Sequence, residues 1–280
     1  MKKKNSPTPQ WADQAPEPAI IAALNLAGPK PLDSASQDDK RNWSDRFADG
    51  CAFAIADEFR KHDQLKSKRI LPRELGSSTE PLTPLGAGTK KRIDVTVADA
   101  LLGLEIGVSM KGYNFKDGEA NNYDKNLTGR LYELGDEMRL VHEHLPHAFM
   151  VAILFLPLGS TVDKKSAKSA SSFARTVVKL RERTGRLDPA LHAHASRCDL
   201  GYVALYAVDE GADPCPQGVC RLMNTNVKPP RRGRPRIEDT LSISEAVTEM
   251  VRKATHSAEE EWGDAEQDPP ESKNATGEKS

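Results

Sequence analysis

The stretch Lys90 to Asp117, KKRIDVTVADALLGLEIGVSMKGYNFKD, reads as two strands and a short connection. Arg92 to Ala98 (RIDVTVA) places apolar residues on alternate positions, and Leu104 to Lys111 (LEIGVSMK) does so again. This is the period-two pattern of strands with two unlike faces. Asp99 to Gly103 makes the turn. Two registers are open. A two-residue turn at Asp99 and Ala100 sets Asp94 opposite Glu105. A four-residue loop, Ala100 to Gly103, sets Asp94 opposite Ser109, with Lys111 one step further along. Asp-Ala is poor chemistry for a two-residue turn and Gly103 is well placed to end the longer one, so the second register is preferred.

Downstream, Asn126 to Leu145 carries apolar residues at Leu127, Leu131, Leu134, Met138, Val141 and Leu145, the spacing of an amphipathic helix. Phe149 to Leu156 (FMVAILFL) is a continuous apolar run of strand length, as expected of a central strand buried on both faces. Ser166 to Arg183 reads as helix, Gly201 to Val208 as a second buried strand and Arg221 to Val227 as a last one. Upstream, Phe47, Cys51, Ile55 and Phe59 mark a helix from Trp43 to Lys61, with Ser44 as its N-cap. Pro72, Pro81, Pro84, Gly86 and Gly88 punctuate the loop that follows. The order helix, strand, strand, helix, strand, helix, strand predicts an α/β fold with a central mixed β-sheet flanked by helices.

Asp94, Glu105, Ser109 and Lys111 are oxygen ligands and a cation on adjacent strands. Cleaving a phosphodiester calls for a hard divalent cation held by oxygens, with a lysine near the reacting phosphate. Glu105 and Lys111 stand roughly 20 Å apart at about 3.3 Å per residue, so they cannot both serve one site. At this point the segment resembles the PD-(D/E)xK superfamily of restriction-endonuclease-like nucleases, over about residues 41 to 210, and looks most similar to type II restriction enzymes. The resemblance implies a restriction-endonuclease-like core, hydrolysis of DNA and Mg²⁺ as cofactor. It assigns Asp94 to a metal-binding aspartate and Lys111 to the catalytic lysine. Ser109 stands where a second acid is usual, leaving Glu105 or Glu58 to supply that ligand, Glu58 matching a helix glutamate used by some members. The type II likeness also implies a homodimer and a cognate methyltransferase. Lys116, Lys125 and Arg130, around the loop after the second strand, are candidates for backbone-phosphate contacts. The plainer alternative is a solvated Asp94 and a Lys111 that ends an edge strand.

Lys228 to Arg236 reads KPPRRGRPR, and its centre, Arg232-Gly233-Arg234-Pro235, resembles the AT-hook core. Proline and glycine keep such a segment extended, and Arg231, Arg232, Arg234 and Arg236 would be drawn to a narrow A·T minor groove. In this reading the arm (228 to 239) is separable from the nuclease (41 to 227), and cleavage is expected to survive truncation at Val227. Ser242-x-x-Glu245 opens a helix to about residue 257. Its apolar face, Ile243, Ala246, Val247, Met250 and Val251, needs the core or a second subunit as partner.

Residues 1 to 40 are expected to be a disordered tail, although Ala19 to Leu26 carries a short helical pattern. Residues 258 to 280 are expected to be an acidic disordered tail. The chain has 280 residues and a net charge of −1, so a DNA partner must be read from local charge: Lys2 to Lys4 and Lys228 to Arg236 are basic, Glu259 to Glu271 acidic. No apolar run is long enough for a membrane span, and Asn5 to Thr8 break any signal-peptide pattern. Four cysteines are too few for a disulfide framework, so a cytoplasmic, reduced setting is expected. Cys198, Cys215, Cys220, His192, His194 and the His142, His144, His147 group lack zinc-site spacing and are read as packing or surface residues. The runner-up function is a non-catalytic DNA-binding protein on a degenerate nuclease fold, and a third is a nuclease acting on RNA or in repair.

Overall fold

The structure, a computed structural model, describes residues 10–76, 83–86, 89–117, 121–166, 168–186, 194–208 and 215–263, with backbone alone for 83–86, 89 and 258–263. The expectations for Lys2 to Lys4, His192 and the tail beyond 263 lie outside these residues.

A six-stranded mixed sheet forms the centre. Its strands are β1 (Arg69–Leu71), β4 (Val95–Asp99), β5 (Gly103–Gly112), β6 (Phe149–Pro157), β7 (Leu200–Tyr206) and β8 (Cys220–Asn224), side by side in that order. β5, β6 and β7 run parallel, and the remaining pairs are antiparallel. A separate ribbon pairs β2 (Thr83–Gly86) with β3 (Thr89–Lys91). The chain is therefore α/β, with helices on both faces.

The continuous apolar run of β6 is explained by that layering. Val151, Ile153 and Phe155 enter the core beneath one set of helices, and Met150, Ala152, Leu154 and Leu156 enter the core on the other face. The first face is covered by α1 (Pro18–Ala27), α2 (Gln37–Arg60) and α5 (Ile243–Gly263), the second by α3 (Leu127–His144) and α4 (Ser172–Arg181).

Three expectations are corrected. Residues 10 to 40 are not a tail. Ile20, Ala23, Leu24 and Ala27 of α1 are buried, and α1 lies so close to α2 that a Cβ at Gly50 would stand 2.6 Å from the Ala23 backbone. Next, α2 starts at Gln37, six residues before the Trp43 that its apolar spacing suggests. Ser36 is its N-cap, accepting from the Asp39 N–H at 3.1 Å, whereas Ser44 lies inside the helix and accepts from the Asn114 amide at 3.0 Å. Finally, the fourth helix begins at Ser172, capped by Ser171, rather than at Ser166.

The box at Ser242 and Glu245 forms reciprocally: the Glu245 N–H reaches the Ser242 hydroxyl at 3.2 Å and the Ser242 N–H reaches the Glu245 carboxylate at 2.7 Å. The apolar face of α5 is buried in the core beside α2, so its partner is this same chain.

Candidate active site

The β4–β5 hairpin sets the site. Asp99 accepts the N–H groups of Leu101 (2.7 Å) and Leu102 (3.1 Å) in an Asx turn, and Gly103 closes the loop at φ +80°, a conformation glycine adopts without strain. The loop is thus three residues, one shorter than the preferred expectation. A bulge restores the register: Ala98 pairs with Leu104 but Val97 with Ile106, leaving Glu105 as the extra residue. Continuing from Val95 opposite Val108 sets Asp94 across from Ser109. The Asp94 carboxylate accepts the Met110 N–H at 2.6 Å.

An acid from outside the hairpin completes the cluster. Glu137 of α3 is buried, and its Oε2 accepts from the Ser109 hydroxyl at 2.6 Å and lies 3.1 Å from the Lys111 ammonium. Its Oε1 lies 2.9 Å from the Lys91 ammonium, at the end of β3. Burial alone would push the Glu137 carboxyl up, but Lys111, the Ser109 hydroxyl and Lys91 together hold it below its ordinary value. Asp94 goes the other way. Desolvation raises its carboxyl; the Met110 N–H and Lys111 oppose this, while Glu137 and Asp49 of α2 add to it.

The helix explains how Glu137 arrives. Leu127, Leu131, Leu134, Met138 and Val141 pack on the sheet, and Glu137 sits at the margin of that arc, about one turn before Val141. Its place one turn from Leu134 and beside Met138 marks the border of the buried face of the helix, but that spacing alone does not say that the acid meets Lys111.

Glu105 and Glu58 are not part of this cluster. The bulge re-aims Glu105, which pairs with Lys68 at 2.6 Å, the same ammonium that meets Asp99 at 3.0 Å. Glu58 lies near the end of α2, paired with Lys61 and acting on Glu17. It is nine residues, about 13 Å of helix, beyond Asp49, the α2 acid that does influence Asp94.

A cleft of about 480 Å³ opens beyond Lys111 at the carboxyl end of β5, between the first turns of α2 and α3. Lys116, Lys125 and Arg130 line it with Lys40, Arg41 and Tyr113. The three expected phosphate contacts therefore share one cleft. Each also has an internal partner: Lys125 pairs with Asp117 (2.7 Å), Arg130 with Glu133 (2.8 Å), and Lys116 stands over the Tyr123 ring (5.5 Å).

The AT-hook-like segment is not a free arm. Residues 228–236 form a strap laid across the loop before α4. The Gly233 N–H donates to the Thr161 carbonyl (2.9 Å) and the Ser171 N–H to the Arg231 carbonyl (2.9 Å). The Arg232 guanidinium is spent on three main-chain carbonyls, Val162 (2.9 Å), Lys164 (2.9 Å) and Ser166 (3.1 Å). Arg231 donates to the Lys168 carbonyl. Arg234 stacks over Trp11 at 5.8 Å, and the Trp11 indole donates to the Pro235 carbonyl at 2.8 Å. Arg236 forks onto Asp239 at 2.8 and 2.9 Å. Such arginines would have to break these bonds before reading a groove.

An all-oxygen set of Asp94, Glu137 and the Ser109 hydroxyl suits a hard cation such as Mg²⁺, which takes one or two carboxylates and completes its shell with water and substrate phosphate. Two enclosed carboxylates, one of them with its pKa raised, are a pair that a divalent cation would relieve. Among the described residues no three His, Cys, Asp or Glu side chains converge as a closed metal cage. Of the residues weighed for zinc, Cys198 and Cys220 are buried free thiols, and His142 turns its Nδ1 to the Ala195 carbonyl at 2.8 Å.

No protein-family model, no curated protein and no solved structure matches this chain. No helix among the described residues is long and apolar enough to cross a membrane.

Proposed function

We propose that the chain is a Mg²⁺-dependent endonuclease that hydrolyses DNA phosphodiester bonds on a restriction-endonuclease-like core. The observation that carries this is the meeting of Asp94, Ser109, Lys111 and Glu137 at the carboxyl half of β5. In the reaction a water oxygen bonds to phosphorus and one ester P–O bond breaks. Asp94 and Glu137 would hold the cation. When bound, Mg²⁺ supplies Lewis-acid polarisation of the phosphate and a water of lowered pKa. Lys111 sets a positive charge beside the phosphoryl oxygens, where charge grows in the transition state. The Ser109 hydroxyl fixes the Glu137 carboxylate rather than binding in place of an acid. The basic cleft next to Lys111 offers the strand its phosphate contacts through Lys116, Lys125 and Arg130, and DNA contact then rests on this cleft rather than on the strap. One such site cuts one strand, so double-strand cleavage in the restriction sense carries a homodimer with it, and a methyltransferase as guardian of host DNA.

Supercoiled plasmid incubated with the protein and Mg²⁺ tests the reading, with EDTA as control. Nicked or linear product is expected. Asp94→Asn, Lys111→Met and Glu137→Gln should each lower the rate by about 100-fold or more, the scale of losing one preorganised electrostatic group. Binding to DNA without any cutting, across varied sequences and in Mg²⁺, would leave the non-catalytic alternative standing instead.

A further inference from the structure

We propose that Lys91 is a second lysine of this site: it neutralises Glu137 while no metal is bound and turns to the substrate phosphate once a divalent cation takes that carboxylate. The inference rests on the metal-dependent reading above. Glu137 meets two ammonium groups, one at each oxygen, Lys91 at Oε1 (2.9 Å) and Lys111 at Oε2 (3.1 Å). A single ammonium already balances the charge of Glu137, so the second at the same carboxylate is in excess of that one group.

Charge counting gives the excess a purpose. Asp94 and Glu137 contribute two negative charges and Lys91 and Lys111 two positive ones, so the metal-free cluster is neutral. Outside this cluster, Asp49 of α2 acts on Asp94, and Asp49 in turn feels Asp45 and, in the opposite sense, Arg92. Adding a divalent cation brings the cluster to plus two. A phosphodiester carries one negative charge and its pentavalent transition state two. With both lysines the loaded site matches the transition state; with Lys111 alone it would match the ground state. Only interactions stronger in the transition state raise the rate of the chemical step.

Placement agrees with a mobile partner. The Lys91 side chain is 32% exposed against 21% for Lys111 and 9% for Glu137, so it approaches the carboxylate from the solvent side. It is carried by the β2–β3 ribbon, outside the central sheet. A four-carbon stem lets an ammonium swing between two anions with little backbone change.

The full chain titrated with Ca²⁺ by calorimetry, and its DNA affinity followed against salt in Ca²⁺, test this. Lys91→Met should bind Ca²⁺ about five- to tenfold tighter than wild type, since the competing ammonium is gone, a change of roughly 1 to 1.4 kcal/mol by the standard conversion. Its plot of log affinity for DNA against log salt should flatten by about one phosphate contact. Lys91→Arg keeps the charge and should keep both values near wild type, which separates charge from folding. If wild type takes up Ca²⁺ and loses it in Glu137→Gln while Lys91→Met changes nothing, the inference about Lys91 is wrong and the metal site stands. If wild type takes up no Ca²⁺, the metal-dependent reading falls and Lys91 with it.

Discussion

At the scale of single residues, Asp94 concentrates the conflict between stability and function. Its folded pKa lies above the ordinary 3.8, with burial as the main cause. Between those two values the folded protein holds more proton than the unfolded one. Stability therefore falls as pH rises through that window and stays at the lower level above it. At pH 7 the metal-free protein bears the whole penalty. Asp94→Asn keeps an oxygen for the Met110 N–H and removes the charge, so its melting temperature should exceed that of wild type at pH 7. Each kcal/mol gained appears as roughly 2–4 °C for a chain of this size. The advantage should shrink as pH falls through that window and be gone below about 3.8, and Mg²⁺ should raise the melting temperature of wild type but not of the variant. An Asn variant that melts lower than wild type at pH 7 without metal would contradict this account. Asp94 opposite Ser109 was legible in the strand alternation and in Gly103. Glu137 was not, because it lies 26 residues past Lys111 and reaches the site only through helix-on-sheet packing, which no local pattern encodes.

At the scale of elements, sequence pattern did well wherever burial repeats along one segment, as in α3 and β6, and poorly wherever a short segment borrows its stability from elsewhere. α1 looked like part of a tail because ten residues cannot hold a helix alone; Gly50 makes room for it on α2. Glu105 looked like a site residue because alternation assumes an unbroken ladder, and a bulge breaks it there. The strap misled for a different reason. KPPRRGRPR has the composition of a groove-binding arm, but Arg232 is held by the carbonyls of Val162, Lys164 and Ser166 in the stretch before α4. Arg232→Ala should therefore act on stability, costing about 1 to 3 kcal/mol for the lost charge-assisted bonds, as read from denaturant midpoints. The salt slope of DNA binding should stay at its wild-type value. A variant of unchanged stability with a flatter slope would restore the arm to DNA.

At the scale of the whole molecule, the question is whether residues 41–227 and the C-terminal segment are separable, as the sequence suggests with a cut at Val227. The packing argues that they are not. Ile243, Ala246, Val247, Met250 and Val251 of α5 are each buried, and they belong to the same core as Phe47, Ile55 and Phe59 of α2. Fully burying one such large side chain is worth about 1.5–3 kcal/mol. Four of them together rival the 5–15 kcal/mol that holds a typical domain. Truncation also uncovers the edge of β8, whose Leu222 exchanges both backbone hydrogen bonds with Leu241 at 2.8 Å. It takes the strap from the loop that carries Lys164, the partner of Asp124 beside the basic cleft. A chain ending at Val227 should thus be recovered aggregated or with a collapsed, non-cooperative melt, and should cut no plasmid even though Asp94, Lys111 and Glu137 are all present. Gel filtration and thermal melting of the truncated chain beside the full one decide it. A soluble, cooperatively melting fragment that still cleaves in Mg²⁺ would show that α5 and the strap are appendages, and that the core over the α2 face closes without them.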